Sequence, residues 1–183
     1  MRAKEFTEDI NRRGFLGGLG SMAVGVDASA KARHIDQNKP AHNRVQSNPV
    51  PWQEIDEYLK SLKLTKAQRV GLLNNINKES GFDPAAYSPN DVNGPSGGLF
   101  QHHDNKKAHL YRFSNMTKKV PDWRTNWKGQ INFALSEPEG KEYRRIQFDD
   151  AEAATHYWTA YFEVPADAEG EASSRAKTSK KFS

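Results

Sequence analysis

Two blocks of sequence decide the fold, Asn75-Ile76-Asn77-Lys78-Glu79-Ser80-Gly81-Phe82-Asp83-Pro84 and Gly94-Pro95-Ser96-Gly97-Gly98-Leu99-Phe100-Gln101. The first block ends a segment whose apolar residues recur at helical spacing, namely Val70, Leu73 and Ile76. Thr65-Lys66-Ala67-Gln68, just before that segment, has the pattern of a capping box. We therefore predict a helix that begins after Thr65 and ends at Ser80-Gly81, followed by a long loop up to the second block.

Glu79 stands out because the spacing through Leu72 and Ile76 places it on the buried stripe, in the last turn of the helix. Burial raises the pKa of a carboxyl group, and the partial negative charge of a helix C-terminus acts in the same direction. A carboxyl group that stays protonated near neutral pH can donate a proton to the leaving oxygen of a glycosidic bond. The spacing alone leaves an alternative, in which Glu79 points into water from a frayed helix end.

The folded domain is expected at residues 52–167, because all four Trp and all six Tyr of the 183 residues fall there. Aromatic side chains supply the large buried areas that a core needs. Apolar spacing predicts a helix that starts at Trp52, and further helices at about 104–114, 126–137 and 149–163, the last with Asp149 as its N-cap. Strand signals are few, so we expect a single, mainly α domain.

The net charge of +4 lies outside this domain. Residues 52–167 carry −1, whereas residues 31–51 carry +3, residues 168–183 carry +2 and residues 1–30 carry none. A near-neutral domain argues against nucleic acid as a partner. The absence of cysteine excludes disulfides, thiolate zinc sites and a thiol nucleophile. No apolar run is long enough to span a membrane.

The two ends of the chain have their own character. Residues 1–30, with Asn11-Arg12-Arg13-Gly14-Phe15-Leu16 and a final Ala28-Ser29-Ala30, resemble a twin-arginine export signal. A flexible arm of a protein that is never exported is the alternative. Residues 31–51 are polar, rich in Asn and Pro, and are expected to form a linker. Residues 168–183 are expected to form a basic, solvated tail.

Together the two blocks resemble the phage tail lysozyme family, which is related to goose-type lysozymes and lytic transglycosylases. These proteins share a Glu-Ser pair followed by Gly-Leu-aromatic-Gln, here Glu79-Ser80 and Gly98-Leu99-Phe100-Gln101. Trp127-x-x-Gln130-Ile131 and Tyr157-Trp158 also look like later helices of that family. The resemblance implies a lysozyme-like helical domain with a long active-site loop and flexible N- and C-terminal tails.

The resemblance implies roles for particular residues. Glu79 matches the catalytic general acid, while Ser96 and Gln101 match positions that line a saccharide cleft. Tyr87, in the same loop, joins them as a predicted substrate-binding residue. His102 stands where the family commonly has a Trp that stacks on a sugar ring, so we expect a weaker subsite there.

The sequence offers more than one candidate for a second carboxylate. An inverting hydrolase needs a base that activates water, and Asp91 in the loop could face Glu79, as could Asp104 from the other side. Asp83 is expected to be structural, because Asp-Pro favours turns. Gln101-His102-His103-Asp104 invites a metal site, but adjacent residues rarely converge on one ion, so no metal and no other cofactor is expected.

The predicted function is a peptidoglycan-degrading glycosidase that cleaves the β-1,4 bond between N-acetylmuramic acid and N-acetylglucosamine. A lytic transglycosylase that uses Glu79 as acid and then as base is one alternative, and a glycan-binding module that does not cut is another. Peptidoglycan glycan strands are the expected partner, with other virion or tail proteins as further partners that the resemblance allows. The expected location is a virion, or the periplasm and cell wall after export.

Overall fold

The computed structural model describes residues 48–163, 165 and 167–182. The resemblance to an export signal at residues 1–30 lies outside these residues, as does most of the linker. The described part is mainly helical, which confirms the predicted fold class. Its α-helices are α1 Trp52–Ser61, α2 Lys66–Ser80, α3 Arg112–Lys119, α4 Trp127–Ser136, α5 Pro138–Arg145, α6 Ala151–Tyr157 and α7 Ala168–Ala176. A π-helix, Trp158–Glu163, continues α6, and a 3₁₀-helix covers Ser179–Phe182.

Helix α2 is the centre of the domain, packed against α1, α6 and α7. It starts with the predicted capping box, in which the Thr65 hydroxyl accepts from the Gln68 N–H and the Gln68 side chain accepts from the Thr65 N–H. Gly81 ends it in the left-handed conformation, with φ of 60°. The predicted inward residues of α2 are buried, namely Val70, Leu72, Leu73 and Ile76. Helix α1 buries Ile55 and Leu59, while Trp52, Tyr58 and Leu62 on the same stripe are partly buried against the core.

A small antiparallel sheet forms from the long loop and the chain after it, in the order β1 Tyr87–Ser88, β2 Ser96–Gly97, β3 His102–Asn105 and β4 Leu110–Tyr111. A second apolar cluster lies separately from the main core and consists of Phe113, Met116, Val120, Trp123 and Phe133. Gly97 packs so closely on this cluster that a Cβ there would lie 2.7 Å from the Phe113 ring. The sheet and this cluster together hold the loop against the helical core.

The helix predicted at about 104–114 is wrong, because the chain forms β3, a tight return and β4 before α3 begins at Arg112. Backbone hydrogen bonds to the preceding loop decide this, with the Asp104 N–H donating to the Pro95 carbonyl at 2.9 Å and the Lys106 N–H donating to the Asn93 carbonyl at 3.0 Å. Such long-range pairing overrides the local helical preference of the segment.

The helices near the C-terminus differ in detail from the prediction. The helix expected at 126–137 is present as α4, but α5, which has Pro138 in its first turn, was not predicted. The N-cap of α6 is Asp150, whose carboxylate accepts from the Ala153 N–H at 2.8 Å, and not Asp149. The expected tail at 168–183 is wrong, because residues 168–176 form α7, which buries Ala172 and Ala176 against the domain. Beyond α7, Phe182 is also buried in the main core.

No helix among the residues that the structure describes has the length and apolar character needed to cross a bilayer.

Gly71 allows close contacts of α2 with α5 and α6, and this gives a stability test. A Cβ at residue 71 would lie 2.6 Å from the Tyr143 hydroxyl and 2.9 Å from the Ala154 carbonyl carbon. Although alanine is the better helix former, we expect Gly71→Ala to lower the free energy of unfolding by about 1–3 kcal/mol through overpacking. Urea unfolding followed by circular dichroism measures the change.

Lys78→Ala, at an exposed position of the same helix, is the control and should stay within about 0.5 kcal/mol of wild type. A Gly71→Ala protein more stable than wild type would contradict the packing described here.

Candidate active site

Glu79 lies at the C-terminal end of α2, with 18% of its side chain exposed. Its Oε1 accepts a hydrogen bond from Nη1 of Arg175, which α7 carries into the domain. Burial raises the pKa of Glu79 above its ordinary 4.5, and the negative charge of Glu171 adds to this, while Arg175 and Lys78 act in the opposite direction. The net result is a partly accessible carboxyl group that holds its proton to higher pH than an ordinary glutamate.

A second carboxyl group, Glu163, lies near Glu79 at the end of the π-helix. Burial raises the pKa of Glu163 well above its ordinary range, and the negative charge of Glu79 contributes in the same direction. Its Oε1 accepts from the indole N–H of Trp158 at 2.9 Å. Two neighbouring carboxyl groups, both with a raised pKa, therefore lie at the C-terminal end of α2, and each can donate a proton at higher pH than an ordinary glutamate.

The end of α2 is fastened to the second sequence block. The Ser80 hydroxyl donates to the Leu99 carbonyl at 3.0 Å, so the residue after Glu79 touches Gly-Leu-Phe-Gln directly. From the other side, the buried side chain of Gln130 accepts from the Leu99 N–H at 2.6 Å and donates to the Pro84 carbonyl at 2.9 Å. The two blocks that the sequence singles out are therefore neighbours in space.

Three predicted site residues form one hydrogen-bonded chain. The Ser96 hydroxyl lies 2.8 Å from Asp91 Oδ2 and 3.2 Å from Gln101 Oε1. Gln101, whose φ of 45° is left-handed, donates through Nε2 to the Gly98 carbonyl at 3.0 Å. Because Ser96 is only 2% exposed and the amide of Gln101 is engaged within the loop, these two side chains organise the loop around Asp91.

Asp91 itself is exposed and remains ionised to low pH. The hydrogen bond from Ser96 lowers the pKa of Asp91 below its ordinary 3.8, and a further bond from the Val92 N–H at 2.7 Å and the nearby His103 ring act in the same direction. His103 faces this region because β3 pairs it with Ser96. Asp91 thus stays ionised to lower pH than an ordinary aspartate, in contrast to Glu79.

Tyr87 is 44% exposed at the edge strand β1. Its ring stacks on Phe113 with centroids 5.6 Å apart, and the guanidinium of Arg124 lies 5.4 Å from the Tyr87 ring. A partly exposed aromatic ring that its neighbours hold in place is suited to stack on a sugar. Its role in binding substrate stays a prediction.

His102 does not offer a surface to a saccharide, which corrects the predicted weak subsite. The residue is 1% exposed, and its ring packs against Phe133 and Phe162 with centroid distances of 5.2 and 5.8 Å. Nε2 lies 3.0 Å from Glu137, whose carboxylate also accepts two bonds from Arg112 at 2.9 Å. Burial would raise the pKa of Glu137, but these hydrogen bonds lower it to about 2, so the group is a structural anion.

The other acidic candidates are structural in the described fold. Asp104 is 3% exposed, and both of its carboxylate oxygens accept from Ser114, one from the backbone N–H at 2.9 Å and one from the hydroxyl. It therefore fixes the start of α3 and is not placed to activate water. Asp83 accepts from the Ala85 N–H at 2.9 Å, as expected for a turn former. Within the described residues, no three His, Asp or Glu side chains are grouped to hold a metal ion.

Sequence reasoning missed Glu163, Arg175 and His103 as members of this region. Glu163 gave one usable signal, since it is the one acidic residue in the aromatic segment 157–163. Arg175 gave none, because it is 96 residues from Glu79 in the sequence and lies in a segment of tail-like composition. His103 was visible only as part of a hypothetical metal motif.

Comparison with known proteins agrees with the resemblance described above. The sequence profile of the phage tail lysozyme family matches residues 52–183, which is more than half of the chain. Neither a curated protein nor a solved structure matches the chain significantly. The match starts at the first helix and includes α7, in agreement with the packing of α7 on α2. The chain therefore belongs to the phage tail lysozyme family.

Proposed function

We propose that the protein is a glycosidase that hydrolyses the β-1,4 bond between N-acetylmuramic acid and N-acetylglucosamine in peptidoglycan, with Glu79 as the general acid. The observation that carries this proposal is the environment of Glu79, a partly exposed carboxyl group whose pKa is raised by burial at the end of α2. A general acid must hold a proton at the working pH and reach the substrate, and this environment favours both. Membership of a lysozyme family supports the substrate class.

The chemical steps follow from the opposite properties of the two carboxyl groups. Protonated Glu79 gives its proton to the glycosidic oxygen as the bond from that oxygen to C1 of N-acetylmuramic acid breaks. A water molecule forms the new bond to C1 and loses a proton to the Asp91 carboxylate, so the configuration inverts. Exchange with solvent then returns the proton to Glu79 and removes it from Asp91.

The alternative reaction needs no second carboxylate. In a lytic transglycosylase, the 6-hydroxyl group of the N-acetylmuramic acid attacks C1 and Glu79 takes back the proton, so the product is a 1,6-anhydro sugar. We favour hydrolysis because Asp91 is an exposed carboxylate of the loop that stays ionised and can accept the proton of the attacking water.

The setting follows from the substrate. A wall-degrading enzyme acts at the cell envelope, and the family name is consistent with a virion component that opens the wall, with virion or tail proteins as partners. Export through a twin-arginine signal at residues 1–30 is the competing proposal. The charge distribution, with −1 on residues 52–167, continues to argue against nucleic acid as a partner.

One prediction of this function concerns Glu79 and the products that the enzyme releases. Glu79→Gln should lower the rate of muropeptide release from purified peptidoglycan at least about 100-fold, because the amide cannot donate the proton. Mass spectrometry of the soluble products should find reducing ends with wild type. Anhydro ends would instead establish the transglycosylase.

Glu57→Gln, at an exposed position of α1, is the matched control and should retain full activity. A sedimentation assay with insoluble peptidoglycan should find that Glu79→Gln still binds. Wild type that binds without releasing muropeptides would indicate a non-catalytic glycan-binding module.

The second prediction is a bell-shaped dependence of kcat/KM on pH. Activity should fall as pH rises through the pKa of Glu79, which lies above 4.5, because the acid loses its proton. It should also fall as pH drops through the pKa of Asp91, which lies below 3.8, because the base becomes protonated. Asp91→Asn should remove the acidic limb and lower the maximum about 100-fold, whereas Asp83→Asn in the same loop should change neither. An unaltered acidic limb in Asp91→Asn would exclude Asp91 as the base.

The third prediction tests the sugar-binding role of Tyr87. Tyr87→Ala should raise KM about tenfold with kcat nearly unchanged, since a stacking contact worth about 1.4 kcal/mol is lost equally from the ground and transition states. Tyr111→Ala removes another exposed tyrosine, 43% exposed on β4, and should leave KM unchanged. Equal effects of the two variants would mean that Tyr87 contributes no specific contact.

A further inference from the structure

The guanidinium of Arg175 makes more contacts around Glu79 than a single ion pair requires. Nη1 donates to Glu79 Oε1 and also to Asn75 Oδ1 at 3.1 Å, while Nη2 donates to Glu171 Oε2 at 2.9 Å. Arg175 is only 9% exposed, and its backbone carbonyl accepts from the Asn74 side chain. Both ends of the residue are therefore fixed to α2, and the direction of its guanidinium is set by three partners.

This geometry distinguishes the two oxygens of the Glu79 carboxyl group. Oε1 is held by Arg175, whereas no residue in the described part of the chain makes a hydrogen bond to Oε2. A proton on the carboxyl group belongs on the oxygen that accepts no bond from a cation. The free oxygen is also the one that can turn towards a substrate, because the side chain is partly exposed.

We propose that Arg175 is a positioning residue for the general acid, which holds Oε1 of Glu79 so that Oε2 carries the proton and presents it to the glycosidic oxygen. The proposal rests on the function proposed above. It gives α7, a segment that looks like a tail in the sequence, a part in the reaction. Arg175 does not touch the substrate and acts only through Glu79.

The charges around Glu79 explain why a cation is needed there. Burial and the charge of Glu171 on α7 oppose ionisation of the Glu79 carboxyl group, while Arg175 on α7 and Lys78 on α2 favour it. Without Arg175, a carboxyl group enclosed near two other carboxyl groups would hold its proton too tightly to give it up readily. Arg175 thus sets the strength of the acid as well as its orientation.

Three substitutions on α7 test this, and we expect one to raise, one to lower and one to leave unchanged the pH of the alkaline limb. Arg175→Gln should lower kcat about tenfold or more with little change in KM, through loss of orientation, and move the alkaline limb of the pH profile to higher pH. Glu171→Gln removes a negative charge, so its alkaline limb should move to lower pH. Glu169→Gln, whose carboxylate pairs with His156 and not with Arg175, should leave the limb in place.

The titration of Glu79 can be followed without activity, by ¹³C NMR of the side-chain carboxyl groups of the full-length protein, with Glu79→Gln to assign the signal. The pKa of Glu79 should rise in Arg175→Gln and fall in Glu171→Gln. Arg175→Lys should restore the wild-type pKa of Glu79 but only part of kcat, because lysine keeps the positive charge and lacks the planar guanidinium that donates to several partners at once. Glu171→Gln keeps the test decisive if Arg175→Gln does not fold, because Glu171 is half exposed.

An unchanged Glu79 titration in both variants, or a uniform loss of activity at all pH values, would overturn the proposal in favour of a merely structural ion pair. An increase of kcat in Arg175→Gln would also overturn it, because it would identify the contact as inhibitory. If Glu79→Gln keeps wild-type activity while the titration moves as expected, Arg175 does tune Glu79, and it is the proposed general acid that fails.

Discussion

A carboxyl group enclosed at the end of the central helix is the constraint on which much of this fold depends. Burying an ionisable group without a partner costs several kcal/mol, so Glu79 needs compensation from elsewhere in the chain. Arg175 supplies it, and it can do so only because α7 packs against α2. The C-terminal segment is therefore part of the domain, and the domain does not end where the tryptophans and tyrosines end.

Buried hydrogen bonds of Asn75 on α2 likewise fix the positions of α6 and α7. Asn75 donates to the Thr155 carbonyl on α6 at 3.3 Å and accepts from Thr159 at 2.8 Å and from Arg175 at 3.1 Å. Because unsatisfied buried polar groups are costly, neither α6 nor α7 can slide along α2 without penalty. Apolar packing alone would tolerate such sliding more readily. The hydrogen bonds of Asn75 thus hold the scaffold that fixes Glu79 and Arg175 relative to each other.

Local signals were sufficient for the helical core. The capping box at Thr65, the helix end at Ser80-Gly81 and the apolar spacing of α2 each depend on neighbours within a few residues, and each was predicted correctly. Strand β3 was missed because it is defined by its pairing with β2 and β4, which spacing within the segment does not encode. Arg175 was missed for a related reason, since an ion pair across 96 residues leaves no periodic trace.

The departure from the family pattern at His102 has a packing explanation. Side chains alternate between the two faces of a strand, and β3 turns His102 into the core while His103 faces the Asp91 side. A buried imidazole needs a polar partner, which Glu137 provides. Glu137 also binds Arg112, whose guanidinium carbon lies 4.2 Å from the centroid of the Phe162 ring. His102 therefore takes part in joining the sheet to the π-helix that carries Glu163. Any aromatic surface for a sugar would have to come from another residue, and Tyr87, which stacks on Phe113 and is 44% exposed, is the residue that we propose for it.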